Sequence, residues 1–197
     1  MRNLKPTFDF SAENVKKWLG FKPDVFQCAR QDKDRPVEET VGILKGLAEE
    51  GLFDYIGLSE VSEATLRRAS AVHQIALVEI EISPWSYEEE TRKGMWYCTS
   101  SSNTSPLTIL ILLLPVIQAG KELGVTILGY SPLGSGFLVN DYKPGTQFND
   151  VRAHFPRLAP GAFEANMKIR DSLTKISTKL GITNAQLCLA WVASLGM

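Results

Sequence analysis

The segment GYSPLGSGFL, Gly129 to Leu138, carries two glycines within three residues, Gly134 and Gly136, and two hydroxyls, Ser131 and Ser135. Bare backbone of this kind lets main-chain N–H groups come close to a ligand, and the hydroxyls add donors, so an anion such as a phosphate fits such a turn. A serine-glycine turn after a strand also occurs with no ligand at all, and these residues alone leave both readings open. A second chemistry-bearing stretch, ALVEIEIS, puts Glu79 and Glu81 two residues apart and therefore on one face of a strand. Two carboxylates so placed face solvent, close a salt bridge or, in a barrel strand, point inward near the mouth. His73 and His154 have no metal-spaced partner and read as structural or solvated, so no metal site is expected.

The elements that must carry these residues follow from the hydrophobic pattern. From Asp24 onward, short apolar runs alternate with amphipathic stretches, the rhythm of βα units and of a parallel sheet covered by helices. Strands are expected at Asp24 to Ala29, Phe53 to Ser59, Ala76 to Ser83 and Val125 to Pro132. Helices are expected over RPVEETVGILKGLAEEG, with Asp34 as a candidate N-cap, Pro36 near the first turn, Gly51 as the stop and Val37, Val41, Leu44 and Leu47 on one face, and over Ser62 to His73, capped by Ser62. FEANMKIRDSLTKISTKLG reads as a long helix stopped by Gly181, and TNAQLCLAWVASL as another with Thr183 and Gln186 in capping-box spacing. The polar loop from Val139 to Gly161 reads as a mobile lid or an excursion over a site. A closed eight-stranded barrel takes roughly 250 residues, and this sequence has 197.

Composition narrows the function. Lys and Arg number 21 against 22 acidic residues, a formal charge of -1, so no global field recruits nucleic acid or an anionic membrane surface. Trp85, Trp96 and Trp191 show no stacking-platform spacing. Three cysteines without CxxC spacing exclude a disulfide scaffold or zinc site and fit a reducing compartment. The first fifteen residues lack a continuous apolar core, so a cytoplasmic location is expected. The partner class that remains is a small molecule, and nothing in the residues sets an oligomeric state.

At YIGLSEVSEATLRRA, VEIEISPWS and GYSPLGSGFL, in that order and spacing, the sequence resembles the aldo-keto reductases, and DVFQCARQD with PVEET is most similar to their pyridoxal reductase branch. The resemblance implies an α/β fold of (β/α)8 barrel type, incomplete here, that uses NADPH to reduce an aldehyde to an alcohol. It implies that Ser59 bonds the nicotinamide carboxamide, with Glu60 beside it where the family usually has asparagine. Glu79 stands where a carboxamide-binding glutamine is common. Tyr130 matches the aromatic residue on which the nicotinamide stacks, and Ser131, Pro132, Leu133 and Ser135 match the turn around the pyrophosphate. Trp85, just after a strand, is expected to line the substrate pocket.

The family's catalytic aspartate, tyrosine and lysine lie upstream of the segment that MRNLKPTFDF resembles, and its histidine position aligns with Ala29. No residue of this sequence is therefore assigned to catalysis. The expectation is a fragment with little carbonyl reductase activity by itself. The alternative is a noncatalytic barrel remnant that binds a dinucleotide, like the potassium-channel β subunits of the same superfamily.

Residues 94–115, GMWYCTSSSNTSPLTILILLLP, break the pattern with a serine-threonine tract and an apolar run closed by Pro115. The run is roughly ten residues long, against the ~20 that a membrane helix needs. Family members pass from a segment like EEETRK almost directly into one like VIQAGKELG. Gly94-Met95 can be encoded by a splice-donor-like GTATG, and Leu107-Thr108 by a branch-like CTNAC. Residues 94–115 are therefore expected to be a retained intron, and sequencing the transcript checks this: a mature message that keeps these codons refutes it.

Overall fold

The computed structural model describes residues 5–32, 34–85, 106–159 and 161–196, with only the backbone course for 106–114. The first part of the anomalous stretch, residues 94–105, lies outside the described residues. Six helices are described, α1 Lys5–Leu19, α2 Val37–Glu49, α3 Glu63–Val72, α4 Pro106–Leu123, α5 Ala162–Leu180 and α6 Asn184–Ser194. The described strands are β1 Val25–Gln27, β2 Tyr55–Ser59, β3 Ile75–Glu81 and β4 Thr126–Tyr130, forming one sheet in the order β1-β2-β3-β4. β2 runs parallel to β1 and to β3, as the alternation of elements requires.

The chain divides into two compact units, one of Met1–Ile80 with Leu113–Leu128 and one of Glu81–Leu112 with Gly129–Met197. In the first, α2 turns Val37, Val41, Leu44 and Leu47 inward at the expected spacing, all buried. They form one core with Ile56 and Leu58 of β2 and with Leu66 and Ala69 of α3, each at most 2% exposed. Phe26 of β1 stacks on Phe53 at 5.1 Å between centroids. The Arg68 guanidinium reaches both carboxylate oxygens of Glu38, at 2.7 and 2.6 Å, and ties α3 to α2.

The second unit is built on Trp85, Phe137, Leu138, Leu158, Phe163 and Cys188. The Trp85 and Phe137 rings stack at 4.4 Å, and Phe163 meets Phe137 edge-on at 5.5 Å. α5 ends where Gly181 adopts φ 68°, a left-handed cap that glycine takes without steric cost. The capping box of α6 is present, with Thr183 Oγ1 accepting from the Gln186 N–H and Gln186 Oε1 accepting from the Thr183 N–H.

Three expectations change, and one helix is added to those the sequence suggests. Asp34 is not the cap of α2, because Pro36 occupies that position and no side chain bonds there. Pro115 does not close the apolar run but lies inside α4, where it lacks the N–H for one i→i−4 bond. The helix α1, unremarked in the sequence, shows Ala12 buried, while Phe10 is 69% and Trp18 86% exposed. The loop from Val139 to Gly161 is anchored rather than loose, since Tyr142, Phe148 and Phe155 pack on the core of the second unit. Within it Arg152 bonds Tyr142 Oη at 2.8 Å and both carboxylate oxygens of Asp150. That bonding holds the Asp150 carboxyl down to about 2, so the clamp is present above the ordinary carboxylate range and is lost only as pH falls through about 2.

Leu44→Ala deletes a fully buried side chain between α2 and β2 and is expected to cost about 2–5 kcal/mol of unfolding free energy in urea. Leu189→Ala, at a position 51% exposed, is expected to cost less than about 1 kcal/mol in the same measurement.

Candidate functional site

Strand alternation and register decide which polar side chains gather in the first unit. Ile56 and Leu58 point to the helix-covered core, so Tyr55, Gly57 and Ser59 point to the other face of β2. The register sets Gln27 beside Gly57, Gly57 beside Leu77 and Ser59 beside Glu79. Gln27 Nε2 donates to Glu79 Oε2, so a side chain of β1 reaches β3 across the intervening β2. The crossing is possible because residue 57 is glycine: a Cβ there would stand 3.1 Å from Gln27 Oε1 and 3.1 Å from Leu77 Cδ1. Ser59 is 4% exposed, and its Oγ accepts from Arg30 Nη1 at 2.9 Å. The same Nη1 is held by the Ala29 carbonyl at 2.8 Å. Past the end of β2, the Glu60 N–H donates to the Glu79 carbonyl at 2.9 Å. Burial pushes the thiol of Cys28, next to Gln27, up to about 11, which keeps the thiolate scarce near neutral pH.

In the second unit, β4 ends at Tyr130, whose carbonyl accepts from the Ile82 N–H at 3.1 Å. The chain then turns tightly. The Gly134 N–H bonds the Ser131 carbonyl at 2.9 Å, Gly136 N–H the Leu133 carbonyl at 3.2 Å, and Phe137 N–H the Gly134 carbonyl at 3.0 Å. Gly134, Ser135 and Gly136 stand in succession at φ 60°, 53° and 85°, and Ser131 at 51°. Among the described residues, no acceptor takes the N–H of Leu133 or of Ser135. A partly exposed turn with unpaired N–H groups and successive positive φ is an anion cradle in form. Gly134 is also fixed by packing, for a Cβ on it would meet Trp85 Cε3 at 2.6 Å.

The non-glycine residues at positive φ among the described ones are Glu60, Ser131 and Ser135. Each such residue costs about 1–3 kcal/mol and persists only where the surroundings over-determine it. All three coincide with positions that the sequence assigns to a cofactor.

Glu81 pairs with Arg157 at 2.7 Å, with both side chains less than 15% exposed, so this carboxylate takes the salt-bridge role. The guanidinium lies 4.5 Å from the Trp85 ring, a cation–π contact. Trp85 itself is 0% exposed, and its Nε1 has no hydrogen-bond partner. The ring packs on Phe137, against Gly134 and beside the Arg157 guanidinium.

A family model described as "Aldo/keto reductase family" matches residues 8–196. The chain belongs to this family. Among its relatives, the aldo-keto reductase str7 of Strobilurus tenacellus is 37% identical over 88% of this chain and 46% of its own length. The aldo-keto reductase yakc [NADP(+)] of Schizosaccharomyces pombe is 35% identical over the same shares. The chain thus spans about half the length of the curated relatives it matches. A solved glycerol dehydrogenase of Gluconobacter oxydans shares the fold at a TM-score of 0.71, with 18% identity, over 99% of this chain and 54% of that one. The parallel α/β arrangement is consistent with an incomplete barrel of aldo-keto reductase type. Aldo-keto reductases are generally NADP-dependent oxidoreductases of small carbonyl compounds. The pyridoxal reductase branch is not singled out by these likenesses.

For this family chain, the structure brings Ser59, Glu60 and Glu79 together at one end of the sheet of the first unit, and Tyr130 to Ser135 together in the turn of the second. Sequence reasoning missed Gln27, Arg30 and Gly57. The available signal was the strand period, which aligns Gln27, Gly57 and Glu79 once the strands are laid side by side. Among the described residues, no group of three or more His, Cys, Asp or Glu is placed to hold a metal, and no helix is long and apolar enough to cross a membrane.

Gly57→Ala is expected to break the Gln27–Glu79 bond and cost about 1–3 kcal/mol, checked by urea unfolding beside a Gln27→Met control. Cys28 alkylation, mapped by peptide mass, is expected to be slow at pH 7.5 and to rise about tenfold per pH unit toward pH 11. The buried thiol also favours the fold below about 9, and that contribution fades as pH rises from about 9 through about 11.

Proposed function

We propose that this chain binds NADPH and is part of a cytoplasmic reductase that converts an aldehyde, with pyridoxal as the first candidate, to its alcohol. The observation that carries the reading is the coincidence of positive φ at Glu60, Ser131 and Ser135 with the positions assigned to the coenzyme. Backbone strain at these positions, and in the second unit the unpaired N–H groups of Leu133 and Ser135 in the turn after β4, support a ligand whose binding repays it.

Each unit contributes its own groups to the proposal. In the second, the Leu133 and Ser135 N–H groups, with the Ser131 and Ser135 hydroxyls, donate to the pyrophosphate, and Pro132 stiffens the turn. The Tyr130 ring holds the planar nicotinamide by stacking. In the first, Ser59 and Glu79 bond the carboxamide, and Glu60 shapes the backbone beside them. The bound coenzyme supplies hydride. Holding its ring fixed against the carbonyl substrate is what the protein side chains do, and such orientation is a large part of a hydride-transfer rate. The turn fits the group on its own geometry, since Gly134 and Gly136 leave the backbone bare where a Cβ would meet Trp85 or Asn140.

Titration of the chain with NADPH, followed by coenzyme fluorescence, tests the reading. Saturable binding is expected, weakened about 2- to 10-fold in Tyr130→Ala, which loses a stacking contact worth about 0.5–1.5 kcal/mol. No affinity of the folded chain for either nicotinamide coenzyme overturns it.

A further inference from the structure

Resting on the NADPH reading above, we propose that Arg30 and Gln27 are positioning residues that set the hydrogen-bond polarity of Ser59 and Glu79, so that the pair accepts a primary amide in one orientation. The carboxamide oxygen meets the Ser59 hydroxyl, and the carboxamide NH₂ meets Glu79.

The argument is one of donors and acceptors. A guanidinium only donates, so the Arg30 Nη1 contact at 2.9 Å fills a lone pair of Ser59 Oγ and turns the hydroxyl proton elsewhere. Ser59 is buried, and among the described residues no acceptor takes that proton. It is therefore a donor waiting for an acceptor, polarised by the adjacent charge. Arg30 is held in this role by its second bond, from the same Nη1 to the Ala29 carbonyl. Glu79 has the opposite character. A carboxylate only accepts, and Gln27 Nε2 occupies Oε2, which fixes the group and leaves Oε1 as an acceptor without a donor among the described residues. Because Ser59 and Glu79 are register partners on adjacent parallel strands, one donor and one acceptor stand side by side. A primary amide presents the complementary pair, a carbonyl oxygen and an N–H on one planar edge.

The test compares three probes on the full chain: NADPH, its reduced 3-acetylpyridine analogue, which keeps the carbonyl but has no NH₂, and 2′-phospho-ADP-ribose, which has no nicotinamide. The wild type is expected to bind the acetylpyridine analogue about tenfold more weakly than NADPH, through loss of the N–H to Glu79. Arg30→Met is expected to weaken NADPH and the acetylpyridine analogue alike by about tenfold, to leave 2′-phospho-ADP-ribose unchanged, and to be largely rescued by Arg30→Lys. Equal affinity of the wild type for NADPH and the acetylpyridine analogue overturns the proposal. So does an Arg30→Met chain that keeps full NADPH affinity or loses 2′-phospho-ADP-ribose in parallel. A folded wild type that binds no probe overturns the NADPH reading itself, and this inference with it.

Discussion

A polar side chain buried in a parallel sheet needs a neighbour that takes up its hydrogen bonds. That constraint organises the first unit. Ile56 and Leu58 commit one face of β2 to the core under α2 and α3, which leaves the other face to Gly57 and Ser59. Register then brings Gln27 and Glu79 to the same side, and each polar side chain there has one partner among the others, Gln27 with Glu79 and Ser59 with Arg30. A buried polar group without a partner costs about 1–3 kcal/mol, so these pairings hold the site together before any ligand arrives.

The second unit solves a different problem. Its turn after β4 takes backbone conformations that serine adopts only under constraint, and the constraint is aromatic packing. Trp85 lies against the place where a Cβ of Gly134 would be, Phe137 stacks on Trp85, and Phe163, Tyr142 and Phe148 close around them. The tryptophan is thus a support for the turn. Arg157 completes the arrangement by bridging Glu81 and the Trp85 ring, which anchors the loop from Val139 to Gly161 at its far end.

The two carboxylates of β3 illustrate how one pattern separates into two roles. Glu79 and Glu81 share a strand face, and their spacing alone offers salt bridge, solvent or site for both. Glu81 meets a cation from the loop, and Glu79 meets an amide from β1. The difference between an ion pair and an acceptor with an unused oxygen is set by which segments arrive beside them.

Local chemistry was legible in the sequence wherever neighbours along the chain decide it. The four strands, the buried stripe of α2, the Ser62 cap of α3, the Thr183–Gln186 box and the Gly181 stop all follow from periods and capping residues within a few positions. So did the bare turn from Ser131 to Gly136 and, through three ordered blocks, the family. What the sequence alone did not decide are the pairings that cross strands or loops: Gln27 over Gly57 to Glu79, Arg30 to Ser59, Arg157 to Glu81, and Trp85 turned inward. Separations of 29 to 76 residues carry no period to read, because strand register and side-chain packing, rather than local propensity, bring such groups within hydrogen-bond reach.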